Sequence, residues 1–353
     1  MITLLLLNFP VILFVAIAVR LYFNYLNAAD SILCIGLFYF SYIIISEQAL
    51  GMLNALTANN LLLVNLFVLL AAFLFVRIKN KRLGLVSNFK KIINTYSYDR
   101  LNIFFVAAIL GFSLVKLSYN LTNPPFGWDS LNYHFTFAVE WFKHHNLDTP
   151  LVISDNPCPS YYPLNGSLIY LWFIFPFKNV FLADLAQAPF FVLVFLSIYN
   201  ILRKLKVSRQ FSFWAAALTT ITPNYFKHLS IAYVDVMVAA WFLIALNFLL
   251  NLSEKLNIKS VILFGFSLGM LIGTKTIALT YSLVLVIFFL YFLFKQKPGR
   301  PFIYLFVLFF ICATFTGGFS YIRNFIQTGN PLYPLILKIS DKVIFNGVMD
   351  KAN

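Results

Sequence analysis

Apolar residues along this chain come in long unbroken runs separated by short polar turns. The runs cover about 2–19, 31–50, 60–77, 101–117, 180–201, 211–223, 233–252, 260–275, 277–294 and 301–319. A helix of about 20 apolar residues crosses the roughly 30 Å hydrocarbon core of a bilayer. The runs are continuous rather than alternating, which excludes an outer-membrane barrel. The pattern predicts an all-α polytopic membrane protein with about ten transmembrane helices, residues 1–353 forming a single integral domain. The run 211–223 is short for a span and ends at Thr222-Pro223, where the helix cannot easily continue. The first run, Ile2 to Val19, lacks a basic leader and a small-residue cleavage site, so it reads as a retained helix.

One interruption is much longer than the others, at 118–179. Within it, Ser130 to His145 has helical periodicity. Leu131, Phe135, Ala138 and Phe142 make one apolar stripe, and Tyr133, Phe137, Glu140 and His144 a neighbouring mixed one. Such a helix is expected to lie along the membrane interface. Leu164 to Phe175 is too short to span and reads as a second interfacial or re-entrant helix. Between the two lies the proline- and tyrosine-rich stretch "SDNPCPSYYPLNG". Gly265, Gly269 and Gly273 recur every four residues on one span. In a membrane helix that spacing predicts close helix packing rather than a phosphate loop.

Composition agrees with the pattern. The chain is 61% hydrophobic and 11% charged, with a mean hydropathy of +0.84, against about 25% charged residues in soluble domains. A net charge of +14 first points to nucleic acid. Its placement argues otherwise, because Lys and Arg gather in short loops: Arg77 to Arg82, Lys90-Lys91, Arg203 to Arg209, Lys255 to Lys259 and Lys295 to Arg300. This is the positive-inside pattern. No basic face with interleaved aromatics stands outside those loops, so nucleic acid is not an expected partner. With the basic loops in the cytoplasm, 51–59, 118–179, 224–232, the junction near 275–277 and 320–353 fall on the outer side. The three cysteines, Cys34, Cys158 and Cys312, have no metal-site or disulfide spacing.

Ionisable residues inside apolar spans are costly and mark function or an interface. Here Glu47, Asp129, Glu140, Asp184, Asp235, Lys275 and Arg323 all fall at outer span ends or in outer loops, joined by His134, Lys227 and His228. A secondary transporter would more often place such groups near the midplane, within inverted repeats. Each residue also has a plain reading. Asp129, just before a helix starting near Ser130, would make a good N-cap, and Asp235 stands in the same relation to its span. Glu140 would be a solvated residue, His134 a satisfied interfacial histidine, Lys275 a snorkelling lysine and Arg323 a lipid-phosphate anchor. Two aspartates on successive outer loops beside aromatic helices form the more specific signal.

Four stretches give this signal a relative. "PPFGWDSLNYHFTFAVEWFKHHNL" (124–147), "YYPLNGSLIYLW" (161–172), "HLSIAYVDVMVAAW" (228–241) and "YIRNFIQTGNPLYP" (321–334) together resemble the outer loops of the GT-C superfamily of membrane glycosyltransferases. That group includes protein O-mannosyltransferases, aminoarabinose transferases acting on lipid A, and uncharacterised bacterial relatives. The likeness covers roughly 110–340, leaving the helices of 1–100 without an assigned role and 101–340 as the catalytic region. It departs at Tyr162-Pro163-Leu164, where the family often reads Pro-Pro.

The resemblance implies transfer of a sugar from a polyprenyl-phosphate donor to a glycan, lipid or protein hydroxyl, with inversion. The site would lie on the periplasmic side of a bacterial inner membrane. Asp129 falls where the family has its catalytic acidic residue, here the candidate base, and Asp235 where it has the second. Arg323, Lys275, His228 and Lys227 would bind the donor phosphate, and Trp128, Tyr133, His134, Glu140, Tyr161 and Tyr162 would contact sugar or acceptor. A divalent metal (Mg or Mn) on Asp129 and Asp235 stays open. The alternatives are a lipid or glycan transporter or flippase, and an O-antigen ligase- or polymerase-like enzyme.

Overall fold

The computed structural model describes residues 2–78, 100–150, 157–296, 302–340 and 342–349. Most of the expected basic loops at 78–100 and 295–300, and the start of the proline-tyrosine loop, lie outside the described residues.

Fourteen α-helices and one small hairpin are described. In chain order the helices are α1 (Ile2–Tyr22), α2 (Ala28–Met52), α3 (Ala58–Ile78), α4 (Arg100–Thr122), α5 (Phe135–His144), α6 (Asn165–Phe177) and α7 (Ala188–Lys204). They continue with α8 (Arg209–Thr220), the single turn α9 (Pro223–Lys227), α10 (Asp235–Glu254), α11 (Ile258–Ile272), α12 (Ala278–Gln296), α13 (Phe302–Gly317) and α14 (Phe319–Thr328). Strands β1 (Leu337–Ile339) and β2 (Lys342–Phe345) pair antiparallel. The molecule is therefore an all-helical polytopic membrane protein.

Every expected span corresponds to a helix, but not every helix is long enough to cross. Seven are, or eight if α13 and α14, bent by 76° at their junction, count as one broken span. Among the described residues that is fewer than the expected ten, although each expected span has its helix. The 12 residues of α8 and the 15 of α11 reach only about 18 and 22 Å at 1.5 Å per residue. Polar caps set the starts: the side chains of Asn27, Ser208 and Asn257 accept from the backbone N–H three residues on in α2, α8 and α11.

Two contacts organise the bundle. The first is a seam between α11 and α13. A Cβ on Gly265 would come within 2.8 Å of Cys312 Cβ and 3.0 Å of the Phe309 carbonyl oxygen. One on Gly269 would land on the Thr316 hydroxyl and the Ala313 carbonyl. The four-residue glycine repeat therefore serves packing, as expected from small residues in membrane helices.

The second contact was not legible as a site. Asp30, in the first turn of α2, is 4% exposed. It accepts from Asn200 Nδ2 at 2.7 Å, Asn247 Nδ2 at 2.6 Å and Lys204 Nζ at 2.9 Å, tying α2, α7 and α10 together at one end. At the opposite end the loops gather: Leu56 N–H donates to the His145 carbonyl at 2.9 Å, and Asn165 N–H to the Gly273 carbonyl at 3.0 Å.

The seam makes a test. Gly269→Leu must displace Thr316 or the α13 backbone and is expected to cost at least about 1–3 kcal/mol, read as a clear drop in thermal unfolding temperature in detergent. Gly111→Ala, with nothing within 4 Å of the added methyl, should be neutral or slightly stabilising. Equal behaviour of the two variants would remove the seam's packing role.

Candidate functional site

A cavity of about 690 Å³ opens among the gathered loops. Its walls come from four places. Trp128, Asp129, Tyr133 and His134 enter from the helix start after the first long loop, and Tyr162 and Ser167 from the start of α6. Thr274 and Lys275 come from the α11–α12 turn. Leu332, Leu335 and Met349 come from the C-terminal segment folded across it.

Local structure aims the first group. Gly127 has φ +110, a left-handed conformation that a side chain would strain, and a Cβ there would also meet Ile231 at 2.9 Å. The chain turns there into a helix that already includes Trp128 and Asp129. Residues Ser130–His134 then form a π-turn, with Phe135 N–H donating to the Ser130 carbonyl. Such one-turn expansions recur at functional sites. This corrects the expected geometry twice. Asp129 is not an N-cap, since it has helical φ and ψ and makes no side-chain capping bond. And the buried face of α5 is not the stripe read from plain periodicity. The extra residue per turn rotates it, so that His134, Phe135, Phe137, Ala138 and Trp141 are buried while Leu131 is 53% exposed.

Asp235 opens α10 without capping it either. Its carboxylate instead pairs with Lys275 Nζ at 2.7 Å. Tyr133 stands near both aspartates. Burial, and then the Asp129 carboxylate beside it, push the Tyr133 hydroxyl up from its ordinary value. His134 is buried and its Nδ1 meets Ser167 Oγ at 2.9 Å. Its Nε2 has no hydrogen-bond partner. Burial, reinforced by the Lys275 charge, lowers its pKa from 6.5 to about 3, so the ring is neutral at physiological pH. The satisfied interfacial histidine of the plain reading is thus only half satisfied.

The remaining expected site residues lie elsewhere. Glu140 is on the exposed face of α5, paired with Lys143 at 3.6 Å and His144 at 3.3 Å. Tyr161 stacks edge-on with Tyr333 at 4.5 Å. His228 is beside Tyr233, outside the cavity wall, and burial lowers its pKa. Lys227 ends α9 and does not line the cavity. Arg323 also stands off it. Its Nη2 donates to the Ser160 carbonyl at 2.8 Å and to Asn324 Oδ1 at 3.2 Å. Asn324 in turn donates to the Tyr161 carbonyl at 2.8 Å and the Tyr333 carbonyl at 3.2 Å. Arg323 therefore holds two cavity walls together. Sequence reasoning did not single out Asn132, Ser167, Thr274 or the C-terminal wall, none of which carries a charge.

Among the described residues no group of three or more His, Cys, Asp or Glu side chains could hold a metal. The donor set fits one poorly, because Lys275 already occupies the Asp235 oxygen that a divalent cation would take. No protein-family model, curated protein or solved structure matches this chain.

The half-satisfied histidine makes a prediction. In the fold His134 stays neutral until about pH 3, whereas in the unfolded chain it takes up a proton below about 6.5. Stability should therefore fall as pH drops from 6.5 toward 3, by up to about 1.4 kcal/mol per unit from this group. Denaturation of detergent-solubilised protein at pH 7 and 4.5 should show a smaller difference for His134→Gln than for the parent chain. An equal difference would show that His134 does not titrate as stated.

Proposed function

We propose that the chain is a membrane glycosyltransferase that takes a sugar from a polyprenyl-phosphate donor and passes it to a hydroxyl acceptor. The reading has the site at the extracytoplasmic face of a bacterial inner membrane. The observation that carries it is the uncapped Asp129 carboxylate lining a large cavity that also receives Lys275. A carboxylate that caps no helix, hydrogen-bonded to Tyr133 and sharing a cavity with a lysine at one end of a helix bundle, suits base-assisted displacement of a lipid phosphate.

In this mechanism the acceptor hydroxyl attacks the anomeric carbon and Asp129 takes its proton as the new C–O bond forms. The bond from the anomeric carbon to the phosphate oxygen breaks, and its electron pair leaves with the lipid phosphate. Attack opposite the leaving group inverts the anomeric centre. Lys275 offsets the charge growing on the phosphate, and Asp235 holds its ammonium in place. Asp235 is thus a positioning residue, and Arg323 a brace for the cavity walls rather than a phosphate ligand. Trp128, 74% exposed at the cavity mouth, offers a flat apolar face for a sugar ring.

Asp129→Asn keeps the side chain's shape and removes the base. In liposomes supplied with a panel of radiolabelled polyprenyl-phosphate sugars and membrane acceptors, the parent chain should form a labelled product. The variant should lose about 10²–10⁴-fold in rate. Near-normal transfer by the variant would end the base assignment. Movement of the labelled lipid across the bilayer with no product would favour a flippase instead.

A further inference from the structure

A second cavity, of about 440 Å³, lies inside the spanning region between α4 and α7. Helix α4 bridges over it. At one end α4 is held by Phe105 packing with Phe213 and Ala217, and by Trp214 Nε1 donating to Asn102 at 2.9 Å. At the other it is held by Asn120 Nδ2 on the Leu229 carbonyl at 3.0 Å and Lys116 Nζ on Ser230 Oγ at 3.1 Å. Between these anchors Ile109, Ser113 and Leu117 face Ala188, Val192 and Phe195 across the open slot.

The slot has the chemistry of one lipid. From Ile109 to Asn120 it runs about 16 Å along α4, close to half of the roughly 30 Å hydrocarbon core. Its depth is therefore that of a single leaflet. Its walls are apolar except for Lys116, Asn120, Ser113 and Thr220, and no acidic residue lines it. Lys116 sits at the loop-facing end, 5.8 Å from the Tyr119 ring centroid. Among the described residues it has no carboxylate within ion-pairing distance. A hydrocarbon-lined slot one leaflet deep, closed at its headgroup end by an uncompensated cation, selects an acyl chain attached to an anion.

We infer that this slot binds an anionic phospholipid of the outer leaflet, one acyl chain between α4 and α7 and the phosphate on Lys116. The site is separate from the cavity bearing Asp129 and does not depend on the activity proposed for it.

Native mass spectrometry of the full chain in detergent tests this, titrating phosphatidylglycerol against phosphatidylcholine of the same acyl chains. The parent chain should retain one phosphatidylglycerol at least about tenfold more tightly than phosphatidylcholine. Lys116→Gln should erase that preference. Val192→Trp, at a lipid-exposed position on the slot wall (57% exposed), should block both lipids without unfolding the protein. Equal retention of the two lipids by the parent chain would overturn the inference. So would unchanged phosphatidylglycerol retention in either variant.

Discussion

A carboxylate buried in a helix bundle must be matched group by group, and Asp30 is the place where this chain does so. Four amides and one ammonium converge on it from α7, α10 and the preceding cap, Asn27 Nδ2 donating to Oδ2 at 3.0 Å. Removing the Lys204 ammonium would leave the Asp30 charge without compensation in a low-dielectric surrounding, where a broken buried pair costs about 3–5 kcal/mol. The knot therefore fixes the rotation and height of α2, α7 and α10 relative to one another. The helices are pinned at that end and held apart at the other, where the loops enclose the cavity.

The contrast between the two ends is chemical. At the pinned end acid, amide and ammonium satisfy one another and leave nothing to act on a ligand. At the cavity end the matching is incomplete. Asp235 is spoken for by Lys275, yet Asp129 makes no cap and His134 Nε2 has no partner. Incomplete matching of buried polar groups is destabilising, and among the described residues it also occurs outside the chamber, at Glu47 and Asp184 for example. What sets the chamber apart from the Asp30 knot is that Asp129, His134 and Lys275 line an open cavity.

How much of this could be read in advance depended on the range of the interactions involved. Apolar runs located the helices because spanning is a local property of about 20 residues. The glycine repeat announced its seam for the same reason. Asp129 and Lys275 were found because they are charges in unusual places. Their roles relative to Arg323 were not legible, since Arg323 is committed to a carbonyl 163 residues away. The Asp30 knot escaped because all its partners but Asn27 are 170 to 221 residues distant and mostly neutral asparagines. The π-turn escaped because a single added residue leaves no mark on an apolar stripe, although it rotates every side chain that follows. And the lower count of crossing helices reflects length, which a run of apolar letters overstates when a proline or glycine cuts the helix inside it.

One short loop decides how the two chambers relate. Leu229 lines the slot beneath α4, and Val234 lines the cavity, five residues later. The backbone between them is clamped. Gln187 Nε2 donates to the carbonyls of Ile231 and Tyr233, Tyr170 donates to the Tyr233 carbonyl at 2.7 Å, and Ala232 N–H donates to Ser130 Oγ at 3.0 Å. A strap held at three successive residues by buried partners is a wall rather than a gate. The clamped backbone between Leu229 and Val234 therefore parts the slot from the cavity. Because Ser130, which grips the strap, directly follows Asp129, the rigidity of that wall is also what sets where the carboxylate stands.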